Sequence, residues 1–379
     1  MLKPLLQDND SLQQFCLQAA TKSLLLLDTE FIRQSTLQPK LGLIQLYDGD
    51  ELVLVDPLAI TDWLPLKNLL VNADVTKVMH ACMEDLDAFQ TIGIDSITPL
   101  IDTQMAALLL GQGSSVGFAA LVEQVTGTKL DKGESRTNWL ARPLRDAQLS
   151  YAANDVLYLL PVYQQLQQQL SAEQYQLLQQ ESEQLQRRRS MQWPDQLRFI
   201  DIKNSWQLPP RALAVLQQLV VWRLDYARSK DLALGLIFKD AQLFDIARKA
   251  PASFAALQAI PGLPERELKR HGQVVLRLVE QALESDPAAW PQPAYHREQF
   301  AGYREVTAQI RERVQQAASQ HQLPAELLAT KRQQTEYLNW CWRVSDTERR
   351  KLPVPELLRG WRKTLLQPLL PWPEHLNNS

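Results

Sequence analysis

The chain has 379 residues, 45% hydrophobic and 22% charged with a net charge of -3, the profile of a soluble protein long enough for two or three domains. No apolar run approaches the roughly 20 residues that span a bilayer and the opening MLKPLLQDND lacks the apolar core of a secretory signal, so a cytoplasmic protein with no membrane partner is expected. Cys16, Cys82 and Cys341 are too far apart for a CxxC knuckle or a disulfide framework, and none of the five histidines sits in an HExxH pattern, which disfavours zinc chemistry.

Charge is unevenly spread. Residues 1–205 hold 16 Lys and Arg against 25 Asp and Glu, whereas residues 206–379 hold 24 against 18. A basic second half suits a polyanionic partner, while the acidic first half needs its carboxylates for something else.

In chain order, apolar periodicity predicts strands over 23–27, 41–47 and 52–55, joined by turn chemistry such as DGDE at 48–51. These form a three-stranded antiparallel meander. A helix follows over 63–71, a strand over 76–80, a helix over 83–91, a short strand in SITPLID, and helices over 103–110 and 117–126. Strand-rich first and alternating later implies a mixed sheet covered by helices. From Pro143 a long helical stretch begins, in which Pro161 kinks the helix or opens a new first turn. The glutamine-heavy segment 164–186 keeps leucines at helical spacing and reads as a solvated helix face. Prolines 194, 209 and 210 interrupt the pattern over 190–210, the best domain boundary. Beyond it only helices are expected, in two units of similar outline over 210–284 and 298–370.

The stretch SLLLLDTEF raises the functional question, because Asp28 and Glu30 end a run of four leucines. On an extended strand, residues i and i+2 share one side about 6–7 Å apart, so the two acids converge while Thr29 turns away. Two buried like charges cost several kcal/mol unless a cation neutralises them, and Mg²⁺ or Mn²⁺ suits an all-oxygen site. The competing reading, that both acids sit solvated in a loop after the strand, is open from this stretch alone. Two further segments add acids. A predicted helix carries Glu84, Asp85 and Asp87, and in YAANDVLYLL Tyr151 and Asp155 lie four apart, on one helix face. Asp87 is turned about 200° from Asp85 and cannot share its face. Four acids from three elements could surround two divalent ions, the arrangement that serves phosphodiester hydrolysis.

LLLLDTEF, HACMEDLDAF and YAANDVLYL resemble, in order, the three motifs of the DEDD superfamily of 3'-5' exonucleases. The tyrosine four residues before the last acid is that of the DEDDy branch, and residues 138–156 are similar to a stretch typical of the ribonuclease D family. The two helical units resemble HRDC domains, the second only in outline. The resemblance implies an α/β ribonuclease H-like exonuclease domain over 1–205, with a mixed sheet flanked by helices, followed by two all-α HRDC domains over 206–290 and 295–379. It implies a two-metal 3'-5' exoribonuclease that releases 5'-mononucleotides from RNA, with transfer-RNA precursors carrying 3' extensions as the expected partner. In this scheme Asp28, Glu30, Asp85 and Asp155 hold two Mg²⁺ or Mn²⁺ ions and, with Tyr151, form the catalytic set. Family spacing selects Asp85 within its cluster. Tyr151 would orient the attacking water or take its proton. A non-catalytic RNA-binding scaffold and a DNA 3'-5' exonuclease are the alternatives.

Among the other residues, His80 reads as structural or as a substrate-binding group. Arg223, Arg228 and Lys230 are expected in solvent beside a nucleic acid. Trp206 and Trp222 are either stacking platforms or core, and Lys269 with Arg270 follow a tight turn suited to phosphates.

Overall fold

The central strand β1 (Leu24–Ile32) does not stop at Leu27 but continues through both acids. Its pairing with β2 (Lys40–Tyr47) explains this. The antiparallel ladder runs from Leu26 opposite Tyr47 to Ile32 opposite Lys40, with one register shift between Glu30 and Phe31. Non-local hydrogen bonds thus hold Asp28 and Glu30 extended, a constraint that local hydropathy cannot register. These details come from a computed structural model, which describes residues 5–131, 133–190, 193–291, 302–342, 349–350 and 352–366. The chain divides into two units, Met1–Gln34 with Gln38–Met191, and Ser35–Leu37 with Gln192–Ser379.

In the first unit, β3 (Leu52–Val55) pairs antiparallel with β2, completing the expected meander. On the other side β4 (Thr76–Met79) and β5 (Leu100–Asp102) add in parallel, giving the order β3-β2-β1-β4-β5. The sheet is mixed, as the element order implied. Alternation divides its faces. Leu25, Leu27, Ile44 and Leu46 join one buried cluster with residues of α1 (Asn9–Ala19), α2 (Leu64–Leu70) and α3 (Met83–Gln90). Leu43 and Leu54 join another with Trp139, Leu144 and Ala152. The helix α1 was not anticipated, although Asp8 caps it by accepting from the Ser11 N–H at 2.8 Å.

Two of the remaining helices match their expected spans closely, α4 (Thr103–Leu109) and α5 (Phe118–Thr126), while the long stretch expected from Pro143 starts only at Asp146 and is divided into α6 (Asp146–Leu157) and α7 (Leu159–Gln169). Tyr158 separates α6 from α7, and Pro161 lies in the first turn of α7, where its missing N–H costs nothing. The next helix, α8 (Ala172–Ser190), corrects one expectation. It is not simply a solvated face: Glu181 and Ser182 are fully buried, and α8 packs along β5. Gln186 accepts from the Ile97 N–H at 2.9 Å and donates to the Ile97 carbonyl at 2.6 Å, while Ser182 Oγ accepts from the Asp102 N–H. Side-chain amides here satisfy backbone groups next to an edge strand, a use of glutamine that composition conceals.

The second unit holds helices and 3-10 turns, with no strand among its described residues. Its first module comprises α9 (Pro210–Lys230), α10 (Asp240–Lys249), α11 (Phe254–Gln258) and α12 (Glu265–Glu284), closed over a core that includes Leu216, Leu219, Ile246 and Val275. Arg223 is a second correction: it is 4% exposed, donating to the Phe238 carbonyl at 2.6 Å and pairing with Asp240 at 2.7 Å. An Arg inside an apolar helix face can be drawn in when a carbonyl and a carboxylate wait for it. Arg228 and Lys230 are exposed, and Arg228 pairs with Asp195. Trp222 is half-buried at the rim of the core, stacked on Tyr226 and edge-on to His271, while Trp206 is also half-buried. Lys269 and Arg270 are exposed on α12, after the expected turn. The second module comprises α13 (Tyr303–Gln320), α14 (Ala325–Leu328), α15 (Lys331–Trp342) and α16 (Gly360–Leu366), around Ile310, Val314, Tyr337 and Leu357. Its expected outer bounds, 298 and 370, lie outside the described residues.

Candidate active site

On β1, Asp28 and Glu30 emerge on the sheet face covered by α6, which carries Asp155. Carboxylate oxygens of Asp28, Glu30 and Asp155 all lie within 4.8 Å of one another. All three residues are half-buried, so the group opens to solvent on one side. The ladder with β2 fixes the first two. The third is fixed by α6, whose Ala152 joins the cluster with Leu43 and Trp139.

Asp85 stands outside that group. It is buried in the first turn of α3 and accepts a hydrogen bond from Thr29 Oγ1 at 2.5 Å. Thr29, which turns away from its acidic neighbours, therefore tethers the acid of the second motif. The strand–turn–helix corner leading to α3 has its own anchor. Asp102 accepts from the N–H groups of Ala81 and Cys82, both at 3.0 Å, and from that of Gln104 at 2.8 Å. It caps α4 and holds the turn before α3 with one carboxylate. Nothing in the local pattern of SITPLIDT signals this double use. Glu84 is exposed, and Asp87 pairs with Arg33 at 3.1 Å, so neither competes with Asp85 for the buried position. His80 lies 2.9 Å from Thr103 Oγ1 and its ring centre is 5.4 Å from that of Phe118 at a tilt of 51°, which supports its structural reading.

Electrostatics identify the cluster as uncompensated. Burial, then Asp155 and Asp85, push the Glu30 carboxyl up to about 9. Burial, then Asp85, push Asp155 up to about 7. Asp28 is raised well above the usual range by burial, then by Asp85, Asp155 and Glu30. Asp85 rises to about 6, again chiefly through burial, with the Thr29 hydrogen bond opposing the rise. Like charges crowded this way call for a cation, and a donor set made only of carboxylate oxygen fits a hard divalent ion rather than zinc or copper.

Tyr151, one turn before Asp155 on α6, is half-buried and its ring lies 6.2 Å from that of Trp139. Burial, then Asp155, Glu30 and Asp28, raise its phenol, so the hydroxyl keeps its proton at neutral pH. Sequence reasoning missed the support behind it. Arg142 donates to both carboxylate oxygens of Asp56, at 2.8 and 2.5 Å, and to the carbonyls of Trp139 and Gly42, at 2.9 and 2.8 Å. Gly42 is required at this crossing: an added Cβ would lie 2.7 Å from the Trp139 carbonyl oxygen. The clamp fixes Trp139, and Trp139 backs Tyr151.

Comparison with known proteins agrees with this geometry. A 3'-5' exonuclease family model matches residues 5–171, an HRDC domain model matches 212–279, and the model of the ribonuclease D C-terminal HRDC domain matches 301–370. Ribonuclease D of Cronobacter turicensis is 42% identical over 366 residues, 94% of this chain and 96% of the relative. The chain belongs to the ribonuclease D family. Ribonuclease D of Escherichia coli K12 is 41% identical over 359 residues, 94% of each chain. The crystal structure of Escherichia coli RNase D superposes with a TM-score of 0.90 at 40% identity, covering 98% of both chains. A ribonuclease D is a 3'-5' exoribonuclease that acts on RNA and depends on divalent metal, and the fold is that of an exonuclease domain followed by helical HRDC domains. Among the described residues, no helix is long and apolar enough to cross a membrane.

Proposed function

We propose that this exoribonuclease trims the 3' ends of structured RNA precursors, transfer-RNA precursors with 3' extensions among them, releasing 5'-mononucleotides in the cytoplasm. The reading assigns catalysis to an exonuclease domain over 1–205, and RNA binding to HRDC domains over 206–290 and 295–379. It rests above all on the convergence of Asp28, Glu30 and Asp155 from a strand and a helix distant in the chain.

In this reading Asp28, Glu30 and Asp155 would hold one divalent ion, and Asp28 with Asp85 would hold a second, either Mg²⁺ or Mn²⁺. Such a pair, when bound, acidifies an attacking water and offsets charge on the scissile phosphate. The protein's own work is positional. Thr29 holds the Asp85 carboxylate in one rotamer. Tyr151, one turn before Asp155 on the same helix, is a hydrogen-bonding partner that orients the water toward phosphorus. The apolar wall of Leu43, Trp139 and Ala152 limits water on the α6 side of the site.

The test is hydrolysis of RNA and DNA of the same sequence, each labelled at the 3' end, in Mg²⁺ with and without chelator. Release of labelled mononucleotide from RNA, abolished by chelator and by Asp155→Asn, is expected. Chelator-resistant release, or faster release from DNA, would refute it.

A further inference from the structure

The middle of β2 contains an anomaly. Gln45 is fully buried, and neither its Nε2 nor its Oε1 has a hydrogen-bond partner among the described residues. Leaving a buried polar group unsatisfied costs about 1–3 kcal/mol. Its neighbours Leu43, Ile44 and Leu46 are fully buried and apolar, so a methionine would fill the position without that cost. An amide retained against such a penalty calls for an explanation at the residue it faces.

The register supplies that residue. Gln45 lies directly opposite Asp28 across the β1–β2 ladder. Side chains of directly opposed residues project from the same sheet face with Cβ atoms about 4.5–5.5 Å apart, within reach of a glutamine. This is the face on which Asp155 meets Asp28 and Glu30. Of the next residues on that face, Leu43 opposite Glu30 and Leu54 on β3 opposite Gln45 itself are apolar and join the cluster with Trp139 and Ala152, while Tyr47, opposite Leu26, gives its hydroxyl to the Gly49 carbonyl at 2.7 Å. Asp28 is thus the polar group the ladder sets against the amide.

We propose that Gln45 is a positioning residue for Asp28, its Nε2–H donating to the Asp28 carboxylate when that group holds a divalent ion, so that one carboxylate oxygen is kept turned to the ion. The inference rests on the reading of Asp28 as a metal ligand. Carboxylates that bridge ions need such a donor because either oxygen can rotate into the site, and loss of a supporting partner typically lowers metal affinity or turnover about 10–100-fold.

The test uses the full-length chain with Gln45→Met, which keeps the volume and removes the amide. Thermal unfolding is followed in chelator and across a Mn²⁺ titration, with kcat and KM measured on single-stranded RNA. The expected result separates fold from site. In chelator, Gln45→Met melts at or above the wild-type temperature. Its Mn²⁺ half-saturation rises by about 10-fold or more and kcat falls by a similar factor, with KM unchanged. Gln45→Glu, which adds a buried charge, melts lower in chelator and recovers in Mn²⁺. Wild-type half-saturation and kcat in Gln45→Met would overturn the proposal. A variant that fails to fold, or melts well below wild type in chelator, would overturn it too, since a partnerless amide contributes nothing to the fold that methionine lacks. Asp28→Asn measured in parallel separates the two levels: if that variant keeps wild-type Mn²⁺ half-saturation, it is the reading of Asp28 that fails.

Discussion

Glu30 shows what the site costs. Its carboxyl is raised to about 9 in the folded chain, against an ordinary value near 4.5. Between those values the unfolded chain has released its proton while the folded chain retains it, so stability falls as pH rises across that window. Asp155, raised to about 7, acts in the same direction over a narrower range. The metal-free enzyme is therefore expected to melt at progressively lower temperature from about pH 5 to pH 9. Glu30→Gln should raise its stability at pH 8 by at least about 1 kcal/mol while hydrolysis is lost. Scanning calorimetry in chelator checks this, and a melting temperature that is flat with pH would show the carboxylates to be well solvated. Tyr151→Phe carries a separate expectation: kcat falls about 10-fold or more with Mn²⁺ half-saturation unchanged. An unaltered kcat would reduce the tyrosine to a packing role.

At the scale of elements, the loop before α6 is tied to β2 and the end of β3 by the Arg142–Asp56 pair, with Asp56 3% exposed. Burial works against the Asp56 charge, but hydrogen bonds from Arg142 and Gln7 hold its carboxyl below the usual range. Asp56→Ala leaves the guanidinium without its buried partner and should destabilise the fold by about 2–4 kcal/mol, with kcat reduced because Trp139 no longer backs Tyr151. Urea unfolding and steady-state kinetics on the variant measure both effects, and full activity would uncouple the clamp from the site. These interactions also mark where sequence reading stops. The meander was legible because turn residues and alternation are local, and i, i+2 spacing placed Asp28 and Glu30 on one side. The continuation of β1 past Leu27 depends on its ladder with β2. The burial of Arg223, the docking of Gln186 on Ile97 and the tether from Thr29 to Asp85 each join residues remote in the chain, and no periodicity reports them. The helix α1 is the exception, since its Asp8 cap is a local signal in the sequence.

Across the whole molecule, the acidic first half and the basic second half match the division between an acid-lined site and helical modules. Arg266 and Arg270 are exposed on α12. If they meet the RNA backbone, charge reversal at both should weaken RNA binding uniformly across sequences and lower the salt slope of log K by about 0.7 for each phosphate no longer neutralised. Filter binding of the catalytically silent Asp155→Asn background over a salt series reads this, and an unchanged slope would move the RNA platform elsewhere. The central claim, that Asp28, Glu30 and Asp155 together hold a divalent ion, is tested most directly by calorimetric titration of Mn²⁺ into the wild-type chain and into Asp155→Asn. Saturable binding in the first, lost or weakened at least about 10-fold in the second, is the predicted result. Equal affinity in both would contradict it.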